Sequence, residues 1–226
     1  MQYAASIRWV SLTAPPAADR RARLAAAHLY AITADADPER VVELSRAVLR
    51  GGADILQLRH KTLARGRLLE LAQRLRALSA EAGALLVVND HVDIALLAEA
   101  DGAHLGDDDL SVAEARRLAG PGFLLGASAS TPDAARAAVT AGADYLGAGP
   151  AFATPIKAAK PVIGPAGVAA VQAAVPVPVF AIGGVDPGNV GQLVAAGIRR
   201  ASMIRALAEA EDPEAVARQV RAVLAG

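Results

Sequence analysis

Short apolar runs recur along the chain at intervals that leave room for one helix between each pair. They fall at Leu29–Thr33, Asp54–Arg59, Leu85–Asp90, Ala103–Gly106, Leu124–Ser128, Tyr145–Gly149, Val177–Gly183 and Arg199–Ile204, each short enough for a parallel strand buried on both faces. Between them apolar positions return with helical period, as in Val41-Val42-Leu44-Ala47-Val48 and Leu68-Leu71-Ala72-Leu75-Leu78, opposite a polar stripe. Asp37-Pro38, Ser111, Thr131-Pro132, Asp186-Pro187 and Asp212-Pro213 supply capping side chains at expected helix starts, four with proline in the first turn. Gly51-Gly52, Gly83, Gly142 and Gly197 end helices just before the next strand. The alternation predicts a single-domain α/β fold, the (β/α)8 TIM barrel, over residues 28–226, with residues 1–27 as an N-terminal extension or a short lid helix under it. A doubly wound open sheet fits less well, because glycines and charges recur at nearly every strand end instead of at one switch point. The echo between Gly51-Gly52-Ala53-Asp54-Ile55 and Ala141-Gly142-Ala143-Asp144-Tyr145 is read as the repeated joint between helix and strand.

Composition narrows the function. A chain of 226 residues, 54% hydrophobic, can bury a sizeable core. Lys plus Arg and Asp plus Glu both number 23, so no global field recommends nucleic acid or an anionic membrane as partner. The absence of cysteine removes thiolate nucleophiles and disulfides. No apolar run approaches the roughly 18 uncharged residues of a membrane span, and the start, Met1 to Val10 running into Pro15-Pro16, is a poor secretion signal. A cytoplasmic protein acting on small molecules is expected, and a homo-oligomer is compatible with the chain.

The chemistry-bearing residues gather at strand ends, where a barrel of this kind builds its active site. Gln57, Arg59 and Lys61 alternate, so in extended backbone they project to one side and converge on the mouth. Asn89-Asp90 ends a fully apolar run, which leaves Asp90 to cap the next helix, to bind a metal, or both. Three adjacent carboxylates, Asp107-Asp108-Asp109, repel one another unless screened, so at least one is expected to face a cation. A carboxylate pair facing Arg and Lys suits magnesium and a polyphosphate ester. Gly147-Ala148-Gly149-Pro150 and Ile182-Gly183-Gly184-Val185 let backbone amides approach a phosphate, helped by the helix start expected near Asp186; turn geometry alone explains them equally well. The loop Thr154 to Pro161, with Lys157 and Lys160, reads as a mobile lid or anion clamp. His28, His60, His91 and His104 lack metal-ligand spacing and are read as structural.

With these motifs in view, the chain from about Leu29 onward resembles the thiamine-phosphate synthase family. The resemblance runs through Gln57-Leu58-Arg59-His60-Lys61, Asn89-Asp90-His91-Val92-Asp93, His104-Leu105-Gly106, Gly126-Ala127-Ser128, Asp144 to Pro150 and Ala181 to Val185. It implies a transferase that joins an aminopyrimidine diphosphate to a thiazole phosphate with the help of magnesium. By the same resemblance Gln57, Arg59, Lys61, Asn89, Ser128 and Lys157 look like the pyrimidine-diphosphate contacts, with Lys61, Ser128 and Lys157 closest to the reaction. Asp90 and Asp109 look like the magnesium ligands. Thr154, Gly184 and Ile204 look like the thiazole-phosphate side.

The chain also departs from the family pattern. Ile156 in Thr154-Pro155-Ile156-Lys157 removes one hydroxyl, and the last strand carries Arg199, Arg200 and, at its end, Arg205. These departures are expected to fall on the thiazole-phosphate half. Arg205 would either add a charge-assisted contact there or point outward to Glu209 or Glu211. Ser130 stands where relatives often have the histidine that the related thiazole tautomerases use as acid and base. Two alternatives therefore stay open beside the synthase: a tautomerase-like isomerase, and a non-catalytic barrel that binds a phosphate ligand. A carboxylated and a plain thiazole are equally compatible with the chain.

Overall fold

The computed structural model describes residues 17–154 and 161–226. Eight parallel strands, β1 (Leu29–Ile32), β2 (Ile55–Leu58), β3 (Leu85–Asn89), β4 (Gly102–Leu105), β5 (Leu124–Ala129), β6 (Tyr145–Ala148), β7 (Val179–Ala181) and β8 (Ala201–Met203), close into a barrel in sequence order. All eight expected strands are present; six are trimmed by a residue or more because backbone pairing stops before the loop residues do, β4 is shifted back by one residue, and β5 runs one residue further, to Ala129. Around them lie α1 (Ala17–Ala26), α2 (Pro38–Arg50), α3 (Arg65–Glu81), α4 (Val92–Leu97), α5 (Val112–Ala119), α6 (Pro132–Thr140), α7 (Gly164–Ala173), α8 (Val190–Ala195), α9 (Arg205–Ala208) and α10 (Pro213–Ala225).

The strands divide the apolar side chains into two clusters. Leu56, Leu86, Val88, Ala103, Leu125 and Leu146 pack outward under the helices, whereas Tyr30, Ile55, Leu85, Val87, Leu124, Tyr145 and Phe180 fill the barrel. The rings of Tyr30 and Phe180 meet edge to face at 5.4 Å, and those of Tyr145 and Phe180 at 5.9 Å. This layer exists only because β5 is thin beside it: a Cβ on Gly126 would sit 2.1 Å from Cζ of Tyr145. Alternation along each strand then decides which polar residues enter the barrel, namely Gln57, Asn89, His104, Ser128 and Ser202.

Capping chemistry sets the helix starts. Asp37, Thr131 and Asp212 each accept a backbone N–H of the first turn, and Ser111 and Glu114 form a reciprocal capping box. Asp186 differs from expectation. Its carboxylate accepts from the N–H groups of Gly188 and Asn189, closing a turn, and α8 begins only at Val190. Gly188 and Asn189 are poor helix formers after Pro187, so the turn wins.

Helix α1 packs against the lower end of the barrel. Leu24 and Ala27 join the inner apolar cluster, Arg20 reaches Asp101 and the carbonyl of Gly122, and Arg21 reaches Asp144 and the carbonyl of Pro121. Asp54, Asp101 and Asp144 stand just before β2, β4 and β6 and each accepts backbone N–H from the preceding strand. Each is also paired with arginine, Asp54 with Arg221, Asp101 with Arg76, and Asp144 with Arg116. The sequence echo at Asp54 and Asp144 thus marks a charged staple as well as a glycine joint.

Candidate active site

The upper end of the barrel gathers the candidate residues in two groups. The first lies over β2, β3 and β4. Gln57, buried inside the barrel, donates from Nε2 to the hydroxyl of Tyr30 at 2.6 Å, and that hydroxyl meets the one of Tyr145 at 2.9 Å. Burial pushes both phenols above their ordinary pKa, so they remain neutral. Beyond the end of β2, Arg59 faces Asp35 at 3.8 Å, and the Lys61 ammonium donates to Asp90 Oδ2 at 2.6 Å.

Asp90 does not cap α4. The N-cap position belongs to His91, which makes no capping hydrogen bond, and Asp90 sits in the left-handed region at φ 64. Such a backbone costs a non-glycine residue about 1–3 kcal/mol, least for Asp and Asn. The strained turn aims the carboxylate into the mouth, against Lys61 and Asp109. Burial opposes ionisation of Asp90, but a hydrogen bond from Asp109 and the Lys61 ammonium hold its pKa below the usual carboxylate range. Asp109 goes the other way: burial first, and then the neighbouring Asp90, push it up against a backbone N–H from Gly106. The two carboxyls thus interact beside one lysine, with their pKa values pushed in opposite directions.

Among the described residues no group of three or more His, Cys, Asp or Glu gathers for a metal. Two carboxylate oxygens fit magnesium all the same, because that ion is commonly held by one or two carboxylates and completed by substrate phosphates and water. A divalent ion would also offset the repulsion between the two carboxylates. The run Asp107-Asp108-Asp109 therefore splits, with Asp109 turned to Asp90 and Asp107 turned to the second group.

That second group lines a cavity of about 350 Å³ over β5 to β8, bounded by Asp107, Ser128, Ser130, Thr154, Gly183, Gly184, Ser202, Ile204 and Arg205. Its volume falls within the usual range of small-ligand pockets, about 300–1,000 Å³. Gly184 is fixed twice over: its φ is 67, and a Cβ there would lie 2.6 Å from the carbonyl oxygen of Ala153. The helix start expected to favour phosphate at Asp186 is displaced to Val190, and Asp186 itself lines the cavity. Arg205 opens α9 at the cavity edge and lies 3.9 Å from Glu209, both well exposed. The expectation for Arg199 and Arg200 is corrected. They precede β8 at the lower end, where the Arg199 carbonyl meets His28 and the Arg200 guanidinium reaches the carbonyl of Ala25, away from the mouth.

The spacing of His104 gives no sign of a site. The structure places it inside the barrel, with Nε2 3.2 Å from the Ser128 hydroxyl and its ring 5.7 Å from Tyr145, at the border of the two groups. Its inward parity on β4 was the available signal. Thr33 and Asp35, behind Arg59 and Lys61, carried no motif of their own. Ile156 and Lys157 lie outside the described residues.

Comparison with known proteins adds an independent line. The family model described as thiamine monophosphate synthase matches residues 29–207. The chain is 48% identical over 206 residues to a thiamine-phosphate synthase of Anaeromyxobacter dehalogenans, covering 91% of this chain and 90% of that one. It is also 48% identical over 185 residues to that of Moorella thermoacetica, covering 81% and 88%. Against a relative of the same name from Gloeobacter violaceus, 45% identical over 195 residues, it covers 86% of its own length and 57% of the relative's. Among solved structures, thiamine phosphate pyrophosphorylase from Pyrococcus furiosus superposes with a TM-score of 0.81 at 35% identity, covering 90% of this chain and 96% of that one.

Proposed function

The chain belongs to the thiamine monophosphate synthase family, and we propose that it is a thiamine-phosphate synthase, a transferase that joins 4-amino-2-methyl-5-hydroxymethylpyrimidine diphosphate to thiazole phosphate. The observation that carries this reading is the division of the mouth. Arg59, Lys61, Asp90 and Asp109 form a charged rim suited to magnesium and diphosphate, and it adjoins a separate cavity suited to a second, phosphorylated substrate.

The reaction breaks the bond between the pyrimidine methylene carbon and the diphosphate oxygen, which leaves with the electron pair. The aminopyrimidine stabilises the resulting cation, and the thiazole nitrogen lone pair then forms the new carbon–nitrogen bond. No side-chain nucleophile is required. Arg59 and Lys61 would neutralise the charge that grows on the leaving oxygen, an interaction stronger in the transition state than in the ground state. When bound, magnesium would supply further neutralisation of the leaving diphosphate, held by Asp90 and Asp109. Gln57, Asn89 and Ser128 are proposed to orient the pyrimidine, and Thr154, Gly184, Ile204 and Arg205 the thiazole phosphate. Positioning would contribute much of the acceleration.

Lys157 is proposed to close over the diphosphate. Ser130 lines the cavity where the tautomerases use a histidine, so an isomerase would lack its acid–base group. Among the described residues no helix is long and apolar enough to cross a membrane, and we place the enzyme in the cytoplasm. The test is incubation with both substrates with and without magnesium, followed by chromatography. Thiamine phosphate and diphosphate should appear in equal amounts only with the metal, and absence of thiamine phosphate would reject the assignment.

A further inference from the structure

The loop after β1 is tied to the loop after β2 through side chains. Thr33, buried, donates its hydroxyl to the Arg59 carbonyl at 2.9 Å and accepts the Arg59 N–H at 2.9 Å. Asp35 accepts the Lys61 backbone N–H at 2.6 Å. His60, between them, lies 2.9 Å from the Ala36 carbonyl through Nε2 and accepts the Leu63 N–H on Nδ1 at 3.1 Å. Both cations of the charged rim thus stand on backbone gripped from the neighbouring loop, Arg59 by Thr33 and Lys61 by Asp35.

Asp35 has two longer contacts, to His60 Nδ1 at 3.7 Å and to the guanidinium of Arg59, and magnitudes decide among the three. The ion pair with Arg59 is long, 3.8 Å, with the Asp35 side chain 39% exposed, and such pairs contribute little. The hydrogen bond to the Lys61 N–H is short, at 2.6 Å. Its effect is to fix the main chain from which the Lys61 side chain reaches Asp90. A cation held in place before the ligand arrives loses less freedom on binding, which favours affinity. The negative charge of Asp35, by contrast, opposes an incoming anion.

We propose that Asp35 is a positioning residue for diphosphate binding, acting through its hydrogen bond to the Lys61 backbone and not through its charge. The proposal rests on the reading of Arg59 and Lys61 as the diphosphate clamp. Its test uses the full-length chain and inorganic pyrophosphate with magnesium, titrated calorimetrically, with melting curves for each variant. Asp35→Ala should melt cooperatively and bind pyrophosphate at least tenfold more weakly. Asp35→Asn keeps the acceptor oxygen without the charge and should bind at least as tightly as the parent. In steady state Asp35→Ala should raise KM for the pyrimidine diphosphate while leaving that for the thiazole phosphate unchanged.

Parent-like pyrophosphate binding in a folded Asp35→Ala overturns the proposal, as does an Asp35→Asn as weak as Asp35→Ala. No pyrophosphate binding by the parent overturns both the clamp and the proposal. If the parent binds pyrophosphate, the variants behave as stated and no thiamine phosphate forms, Asp35 keeps its role and the synthase assignment fails.

Discussion

The Lys61 ammonium lies 2.6 Å from Oδ2 of Asp90, joining the loop after β2 to the turn after β3 across the barrel mouth. The contact is asymmetric, with the Lys61 side chain 52% exposed and that of Asp90 12%. A half-exposed lysine can turn from the carboxylate to an arriving phosphate, and Asp90 is then free to hold a metal.

Asp90→Asn should therefore lower turnover by about a hundredfold or more, the loss typical of removing one preorganised electrostatic element. The fold should persist, because Asn accepts the left-handed backbone at this position about as readily as Asp. Steady-state rates with circular dichroism check both halves. Normal magnesium-dependent activity would remove Asp90 from the site.

Asp109 predicts a stability effect of definite sign. Its pKa is raised in the folded chain, so its contribution is fully present below the ordinary carboxylate range and is lost as pH rises through the raised value. Without metal, Asp109→Asn should raise Tm at pH 8 more than at pH 5, while activity falls. Added magnesium should stabilise the parent and not the variant. Thermal melts with and without chelator decide it, and a larger gain at pH 5 would contradict this sign.

Lys157 is assigned a charge and no proton-transfer role. Lys157→Gln should reduce turnover with little change in the shape of the pH profile, and Lys157→Arg should retain part of it. An unchanged rate in Lys157→Gln would leave the residue outside the reaction.

Arg205 reaches the cavity edge, and its pair with Glu209 at 3.9 Å between exposed groups is too weak to hold it there. Arg205→Ser should raise KM for the thiazole phosphate about tenfold, roughly 1.4 kcal/mol, with that for the pyrimidine diphosphate nearly unchanged. Tighter thiazole binding would mark Arg205 as an obstruction instead.

The barrel was legible because buried parallel strands write themselves as short apolar runs, and Asp37, Ser111 and Thr131 announce helix starts through local chemistry alone. Asp186 misled for the same local reason. Whether a capping residue starts a helix or a tighter turn depends on the next residues, and Gly188-Asn189 tip it to the turn. Strand-end residues such as Asp90 and Asp109 were nameable, but their facing pair joins β3 to the loop after β4, a relation fixed by closure and absent from any window of sequence. Arg199 and Arg200 were assigned to the wrong end, since an apolar run does not show where pairing begins. Asp35 and Thr33 stayed hidden because their partners, Lys61 and Arg59, lie on the next strand's loop.

The division of the mouth is the central claim, and it is tested most directly by a crystal structure of the chain with magnesium, pyrophosphate and thiamine phosphate. Pyrophosphate should bridge a metal on Asp90 and Asp109 and lie within hydrogen-bond reach of Arg59 and Lys61, with the ester phosphate of thiamine phosphate beside Gly184 and Arg205. Pyrophosphate in the cavity over β5 to β8, or a metal that touches neither Asp90 nor Asp109, would contradict it.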